Sequence, residues 1–314
     1  FTRSGAFGVG KAISGAGAVT KRGANATALG GGNTYTGATA VSAGTLAYGS
    51  ATAVPAGSVV TVASGATLGL NGQAATRSAN TTIQGTLDLG TAGTPSLDLT
   101  AGTHTVADIT GTGTVIVRAG ATLTLTGRVS NAGLTIVLSG GTLNLGNFSH
   151  DLGAIQVTAN STVDFSSSGN AQLNVDQLTI GAAANLAVTN WTAGTDHFLA
   201  TAINGSPATN TANVAPLNRI TLGANPATST YWTNDTPGEL LATGPLTYWD
   251  ITAGNGTVDG GTGTWDATTP NWTNSTGAAN GVWAGGTNTA TFQGTAGTVT
   301  VSGTQSIGGL NFIT

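Results

Sequence analysis

Short segments in which apolar and polar residues alternate recur through the first two thirds of the chain. Their common form is Gly-(x)-Thr-Leu-x-Leu, with copies at 44–48, 65–70, 85–89, 113–117, 120–125 and 141–145 and looser ones at 161–165, 178–180 and 186–188. A period of two predicts β-strands, and the Gly or Asn beside each segment predicts a turn. The chain is therefore expected to consist of short strands joined by tight turns.

The spacing of these segments predicts how the strands pack. Copies recur about every 10 or about every 20 residues, which is the repeat length of proteins built from stacked coils. Helix is excluded, because no segment has a 3.6-residue period and Gly and Thr are poor helix formers. Antiparallel hairpins in a sandwich or barrel are the alternative, but the close similarity of the copies favours an all-β solenoid of parallel strands. Its predicted core positions are Leu46, Leu68, Leu70, Leu87, Leu89, Val115, Val117, Leu123, Leu125, Leu143 and Leu145.

The later part of the chain differs from the repeats in composition. Five of the eight prolines lie within 191–248, and all six tryptophans lie between Trp191 and Trp283. Because proline cannot donate a hydrogen bond to a sheet, 191–248 is predicted to be an excursion or inserted module. The predicted organisation is a solenoid over 1–190, this Pro-rich segment, and a Trp-rich β segment over 249–314.

Composition excludes several classes of protein. The 314 residues include 8 basic and 12 acidic ones, a net charge of -4, and no Cys. So few basic side chains cannot neutralise a nucleic-acid backbone, and no apolar run approaches the ~20 residues of a membrane span. A surface rich in Thr, Ser, Asn and Gly without Cys indicates an extracellular protein.

Two segments near the N-terminus resemble a known repeat. Residues 13–21 and 31–46, including Asn33-Thr34-Tyr35-Thr36-Gly37 and Gly44-Thr45-Leu46, resemble the autotransporter-associated β-strand repeat. Asn25-Ala26-Thr27 departs from it, since the family has Gly-Thr-Leu there. The C-terminal run with Trp265, Trp272 and Trp283 looks like the Trp-rich module that accompanies such repeats. The resemblance implies a right-handed parallel β-helix at the surface of a bacterium, in adhesive or structural stalks.

No set of residues predicts catalysis. His104, His150 and His197 lie near Asp and Ser residues, but a triad needs convergent geometry that adjacency does not supply, and no Gly-x-Ser-x-Gly turn occurs. Asp88 and Asp108 are one coil apart, and stacked carboxylates repel unless a cation bridges them. Ca²⁺ is therefore the one cofactor considered, although the Gly-Gly-x-Gly-x-Asp repeat of calcium-binding rolls is missing. The chain is predicted not to be an enzyme.

The tryptophans allow two interpretations. Aromatic faces suit sugar rings, so Trp265, Trp272 and Trp283 are candidate glycan contacts. Alternatively, these side chains form the core of an irregular module.

The charged residues are separated along the chain. Residues 1–30 contain four basic side chains and no acid, whereas 231–314 contain five acids and no Lys or Arg. A basic end and an acidic end predict head-to-tail association of copies, and such a contact builds a filament unless it closes. A chance distribution is the alternative. The predicted N-terminal face contains Phe1, Arg3, Phe7, Lys11, Lys21 and Arg22, and the C-terminal face contains Asp250, Asp259, Asp266, Leu310, Phe312 and Ile313.

These observations predict a non-enzymatic extracellular protein, a β-solenoid unit of a bacterial surface stalk or filament whose main partner is itself. An adhesin that binds glycans through its Trp-rich region is the first alternative, and a carbohydrate-active β-helix enzyme is the second.

Overall fold

The computed structural model describes residues 5–166, 169–192, 194–207, 215–225, 227, 230–232, 237–242, 246–275, 277, 280–283, 285 and 288–313. Within these residues the protein is all-β, with one 3₁₀ turn at Leu217–Arg219 and no α-helix. Parallel strands stack into a β-solenoid, which confirms the predicted fold class.

The strands are numbered in chain order. In the described residues, the largest sheet contains the 14 strands β1 (Phe7–Val9), β2 (Val19–Lys21), β3 (Ala26–Leu29), β4 (Thr39–Val41), β5 (Thr45–Tyr48), β6 (Val60–Val62), β7 (Thr67–Gly69), β9 (Thr81–Asp88), β11 (Gly102–Thr110), β13 (Ala121–Leu125), β15 (Thr142–Asn144), β17 (Ser161–Asp164), β19 (Leu186–Thr189) and β22 (Ile220–Leu222). A second sheet contains the 10 described strands β8 (Ala74–Arg77), β10 (Ser96–Leu99), β12 (Gly113–Arg118), β14 (Ser130–Ser139), β16 (His150–Ala159), β18 (Gln172–Ile180), β20 (His197–Ile203), β21 (Ser206–Pro207), β23 (Thr230–Trp232) and β24 (Gly238–Ala242).

Equivalent residues of successive coils lie directly over one another. Leu46, Leu68, Leu87 and Ile109 are aligned in one column, and Leu123, Leu143, Val163, Val188 and Leu222 in another. All nine side chains are at most 1 % exposed. The core positions predicted from the alternation are all buried, so the inside–outside prediction is confirmed.

Glycine is required where one coil passes close to the next. A Cβ on Gly37 would lie 2.4 Å from the carbonyl oxygen of Gly17, and one on Gly146 would lie 1.9 Å from that of Leu125. Gly146 also has a φ of +60°, a left-handed conformation that favours glycine. The turns between strands therefore restrict the sequence as strongly as the core does.

The solenoid continues past the predicted boundary at residue 190. Strand β20 pairs in parallel with β18, and β22 pairs in parallel with β19. The chain then reverses, because β24 pairs antiparallel with β20 and β23 antiparallel with β24. The predicted excursion over 191–248 needs correction at these strands: its first part completes the stack, and its second part covers the edge of the second sheet. Proline is accommodated because Pro207 and Pro216 lie at or beyond strand ends.

A second apolar core lies in the C-terminal module, residues 246–313. Its described strands are β25 (Tyr248–Trp249), β27 (Trp272–Thr273), β28 (Asn280–Gly281), β29 (Thr289–Phe292) and β31 (Gly309–Phe312) in one sheet, and β26 (Gly263–Trp265) and β30 (Val299–Val301) in another. Strand β29 is parallel to β25 and β31, whereas β27 is antiparallel to β25. Four tryptophans form most of this core.

Candidate functional site

A buried asparagine connects three successive coils near the N-terminus. The Asn33 side chain is 5 % exposed, and its Oδ1 accepts the backbone N–H of Ile13 at 2.7 Å. Its Nδ2 donates to the carbonyl oxygen of Ala53, also at 2.7 Å. One amide thus satisfies a donor in the preceding coil and an acceptor in the following coil, as a buried polar side chain must.

Buried hydroxyl groups extend this polar network. The Tyr35 hydroxyl and Thr39 Oγ1 are 2.7 Å apart, and Thr39 Oγ1 and Ser58 Oγ are 2.9 Å apart. Ser58 donates to the carbonyl oxygen of Gly37 at 2.8 Å. Burial raises the pKa of Tyr35, so the phenol stays neutral. The Asn-Thr-Tyr-Thr-Gly motif therefore supplies the polar contacts that fix one coil on the next.

Sequence reasoning missed a buried arginine beside this network. Arg77 is fully buried, and its guanidinium donates to the carbonyl oxygens of Pro55, at 2.7 Å, and of Ser58. It lies next to Tyr48, whose pKa burial raises to about 12. Arg77 lies outside the repeated segments and belongs to no motif, so nothing in the sequence indicated that it is buried.

The predicted N-terminal face is only partly basic. Lys11 and Arg22 are exposed, and Phe7 is 41 % exposed. Phe1 and Arg3 lie outside the described residues.

The prediction that Lys21 lies on the exposed N-terminal face is wrong. The side chain is buried, and its Nζ donates to the carbonyl oxygens of Gly23 at 2.6 Å and Ala43 at 3.0 Å. Burial lowers the pKa of Lys21. The ammonium group therefore connects two neighbouring turns.

The predicted acidic face is also reduced. Asp259 and Asp266 are partly exposed, and Asp266 accepts the backbone N–H groups of Thr268 and Thr269, which lower its pKa to about 2. Hydrogen bonds from Thr257 and Asn255 lower the pKa of Asp259. The prediction that Asp250 lies on this face is wrong, because the side chain is 0 % exposed and cannot contact a partner molecule.

The three candidate glycan contacts lie in the core of the module. Trp265, Trp272 and Trp283 are 4 %, 0 % and 8 % exposed. Trp272 contacts Trp283 at a centroid distance of 4.4 Å and Trp249 at 5.4 Å. With the rings packed against one another, the expectation of a sugar-stacking platform at these positions is corrected in favour of the core alternative.

Exposed apolar side chains border a groove at the two C-terminal edge strands. The groove has a volume of about 670 Å³. Phe292 and Phe312 stack in it with centroids 5.2 Å apart, and Leu310, Phe312 and Ile313 are 52 %, 69 % and 48 % exposed. Its other apolar lining residues are Trp249, Trp265, Ala296, Val299 and Val301. The apolar part of the predicted C-terminal face is thus accessible.

The three histidines that were considered for catalysis lie apart from one another, and each has its own hydrogen-bond partner. His104 and His150 are buried, and each has a ring nitrogen 2.9 Å from a backbone oxygen, of Ala101 and Leu145 respectively. Burial lowers the pKa of both histidines. His197 Nδ1 lies 2.6 Å from Glu239 Oε1 and connects β20 to β24.

The aspartates considered for Ca²⁺ are not stacked. A register shift after Val106 places Asp108 opposite Thr86 and Asp88 opposite Thr110. Asp98 forms a bidentate ion pair with Arg118, at 2.7 Å and 2.9 Å. Among the described residues, no group of three or more His, Cys, Asp or Glu side chains is arranged to hold a metal ion.

The stacked coils define the class of the protein as a parallel β-solenoid. Residues 19–47 match the family model of the passenger-associated-transport-repeat, which confirms the resemblance to the autotransporter-associated repeat over this segment. The match includes Asn33, Tyr35 and Thr39 of the polar network. No curated protein and no solved structure matches the chain significantly. In the described part of the chain, no helix has the length and hydropathy to cross a membrane.

Proposed function

We propose that this chain is a structural, non-enzymatic segment of a bacterial surface or secreted protein of the autotransporter-passenger kind. The observation that carries the proposal is the coincidence of the passenger repeat at 19–47 with a parallel β-solenoid. The repeat family and the fold together fit a non-enzymatic passenger-like domain. Stacked coils are suited to this role because each coil pairs its backbone with both neighbours and so builds a stiff, extended element.

The finer part of the proposal is that copies associate end to end. Among the described strands, β1, β30 and β31 are the outermost of their sheets; Phe7 is 41 % exposed, and β30 and β31 lie beside the apolar groove. An outermost strand can pair with a further strand, and burial of apolar surface adds about 25 cal/mol per Å². Lys11 and Arg22 at one end and Asp259 and Asp266 at the other favour a head-to-tail orientation, although exposed ion pairs contribute only ~0–1 kcal/mol each.

Light scattering of the purified chain at increasing concentration tests this assembly. The expected result is particles whose mass grows with concentration and persists in high salt, and which electron microscopy shows as filaments. Phe312→Ser and Phe7→Ser are each expected to leave folded monomers.

Phe148→Ser is the matched control, because Phe148 is 40 % exposed but lies in the solenoid away from both ends. It should assemble like the unchanged chain. A chain that stays monomeric at all concentrations contradicts end-to-end assembly while leaving the passenger-like role standing. Antibody labelling that places the protein inside the cell contradicts that role itself.

A further inference from the structure

Asp250 is a buried carboxylate that is only half satisfied. It follows β25 directly and is 0 % exposed. Its Oδ1 accepts the backbone N–H groups of Thr252 at 3.1 Å and Asp259 at 3.3 Å. Its Oδ2 is buried and has no hydrogen-bond partner in the structure as described. A carboxyl oxygen that is buried without a hydrogen-bond partner costs free energy that an exposed one does not, so its retention requires a cause.

A second buried oxygen without a partner belongs to Asn280, which is hydrogen-bonded to Asp250. Asn280, at the start of β28, is 1 % exposed, and its Nδ2 donates to the Asp250 carbonyl oxygen at 2.7 Å. Its Oδ1 is buried and also lacks a partner within the described residues. Two buried oxygens on residues that are hydrogen-bonded to each other therefore lack a donor or a cation among the described residues.

The module's own side chains cannot supply that group. Neither the module nor the residues before it from 220 onward contain Lys, Arg or His. The acidic residues of 220–314 are Asp235, Glu239, Asp250, Asp259 and Asp266. A buried carboxylate is normally paired with a cation or coordinated to a metal. No basic side chain of this part of the chain can therefore neutralise Asp250.

We propose that Asp250 and Asn280 form a Ca²⁺ site that stabilises the C-terminal module. Carboxylate and amide oxygens are hard donors that suit Ca²⁺ rather than a thiophilic or imidazole-binding metal. Ca²⁺ takes six to eight oxygen ligands, so backbone carbonyls and water would have to complete its shell. A single carboxylate predicts weak binding, with a dissociation constant of ~10⁻⁴–10⁻³ M as in extracellular modules. The site is independent of the proposed structural role, and either proposal can fail alone.

Terbium luminescence tests the site directly, because Trp249 is the residue before Asp250 and sensitises a lanthanide bound beside it. Tb³⁺ added to the chelator-treated chain should give saturable emission on tryptophan excitation, and Ca²⁺ should displace it. Thermal melting of the Trp cluster should shift upward by a few °C in saturating Ca²⁺. NaCl of equal ionic strength should not reproduce the shift.

Asp250→Asn should abolish both responses, while Asp266→Asn should retain them, since it makes the same change at a partly exposed turn of the same module. Asn280→Ala should weaken Tb³⁺ emission at least several-fold and guards against a fold defect in Asp250→Asn. A proton is the competing neutraliser: absence of any Ca²⁺ response, with a melting temperature that rises as the pH falls from 7 to 5, overturns the proposal. Emission that survives in Asp250→Asn overturns it as well.

Discussion

The solenoid and the C-terminal module build their apolar cores in different ways. Both bury apolar side chains beneath short strands, but the solenoid does so with columns of Leu, Val and Ile on stacked parallel strands. The module uses a compact cluster of Trp249, Trp265, Trp272 and Trp283, with few strands and longer connections. In the solenoid each coil contacts only its neighbours, so the stabilising contacts are spread over many side chains. In the module a few tryptophans make most of the stabilising contacts.

The two regions also differ in how they satisfy buried polar groups. In the solenoid, Asn33 and Arg77 donate to carbonyl oxygens of neighbouring coils. In the module, Asp250 retains an unpartnered oxygen in a region that has no basic residue. Buried atoms without a partner also occur in the described part of the solenoid, at Tyr48 and Arg77, so the regions differ in the absence of basic side chains from the module.

The largest effect is expected from Trp272→Ala. The ring is fully buried and contacts three other tryptophans, so its loss should cost about 3–5 kcal/mol and unfold the module. The near-UV circular dichroism of the Trp cluster should disappear while the far-UV signal of the solenoid remains. Trp191→Ala is the matched change in the solenoid and should leave the cluster signal intact. Loss of both signals together in Trp272→Ala would show that the two regions unfold as one unit.

A somewhat smaller effect is expected from Leu123→Ala in the solenoid. Leu123 is 1 % exposed and lies between residues of two neighbouring coils, so truncation should cost about 2–5 kcal/mol in urea-induced unfolding. Thr124→Ala, on the outward face of the same strand, should cost well under 1 kcal/mol. Equal costs at the two positions would contradict the inside–outside alternation.

The smallest effect is expected from mild acid, and it should distinguish the two regions. Burial lowers the pKa of His104 and His150, so the fold holds them neutral while the unfolded chain takes up protons below its pKa of about 6.5. Solenoid stability should be complete above that pH and should fall as the pH drops through it, by at most about 1.4 kcal/mol per pH unit for each histidine.

Urea titrations at pH 7.5 and 5.5, followed by far-UV circular dichroism, measure this dependence. His150→Gln should remove about half of it, and adding His104→Gln should remove most of the remainder. The module contains no histidine and should not share this loss. An unchanged pH dependence in the double variant would assign the effect to other groups.

Local pattern was sufficient for the strands, the buried columns and the class of fold. A side chain at every second position of a strand points to one face, so Leu123 and Leu125 are inward whatever the rest of the chain does. The Asn-Thr-Tyr-Thr-Gly motif likewise identified the repeat family, because Asn33 and Gly37 meet strict steric and hydrogen-bonding demands at the junction of coils.

Charge counts along the chain did not predict where the charges lie. Lys21 and Asp250 were expected at opposite ends, yet both are buried, because burial depends on segments that contact them from elsewhere in the chain. Lys21 donates to Ala43, a coil away, and the carbonyl oxygen of Asp250 accepts from Asn280 across β27. These contacts are absent from any local pattern.

Coil length, which no short motif encodes, decided which residues stack. Leu123 pairs with Leu143, 20 residues later, whereas Asp88 pairs with Thr110, 22 residues later, rather than with Asp108. The burial of the tryptophans depended in the same way on the pairing of β25, β27 and β28. Alternation along a strand dictates which face a side chain takes, whereas only the assembled coils determine its neighbours, since those neighbours come from turns of unequal length.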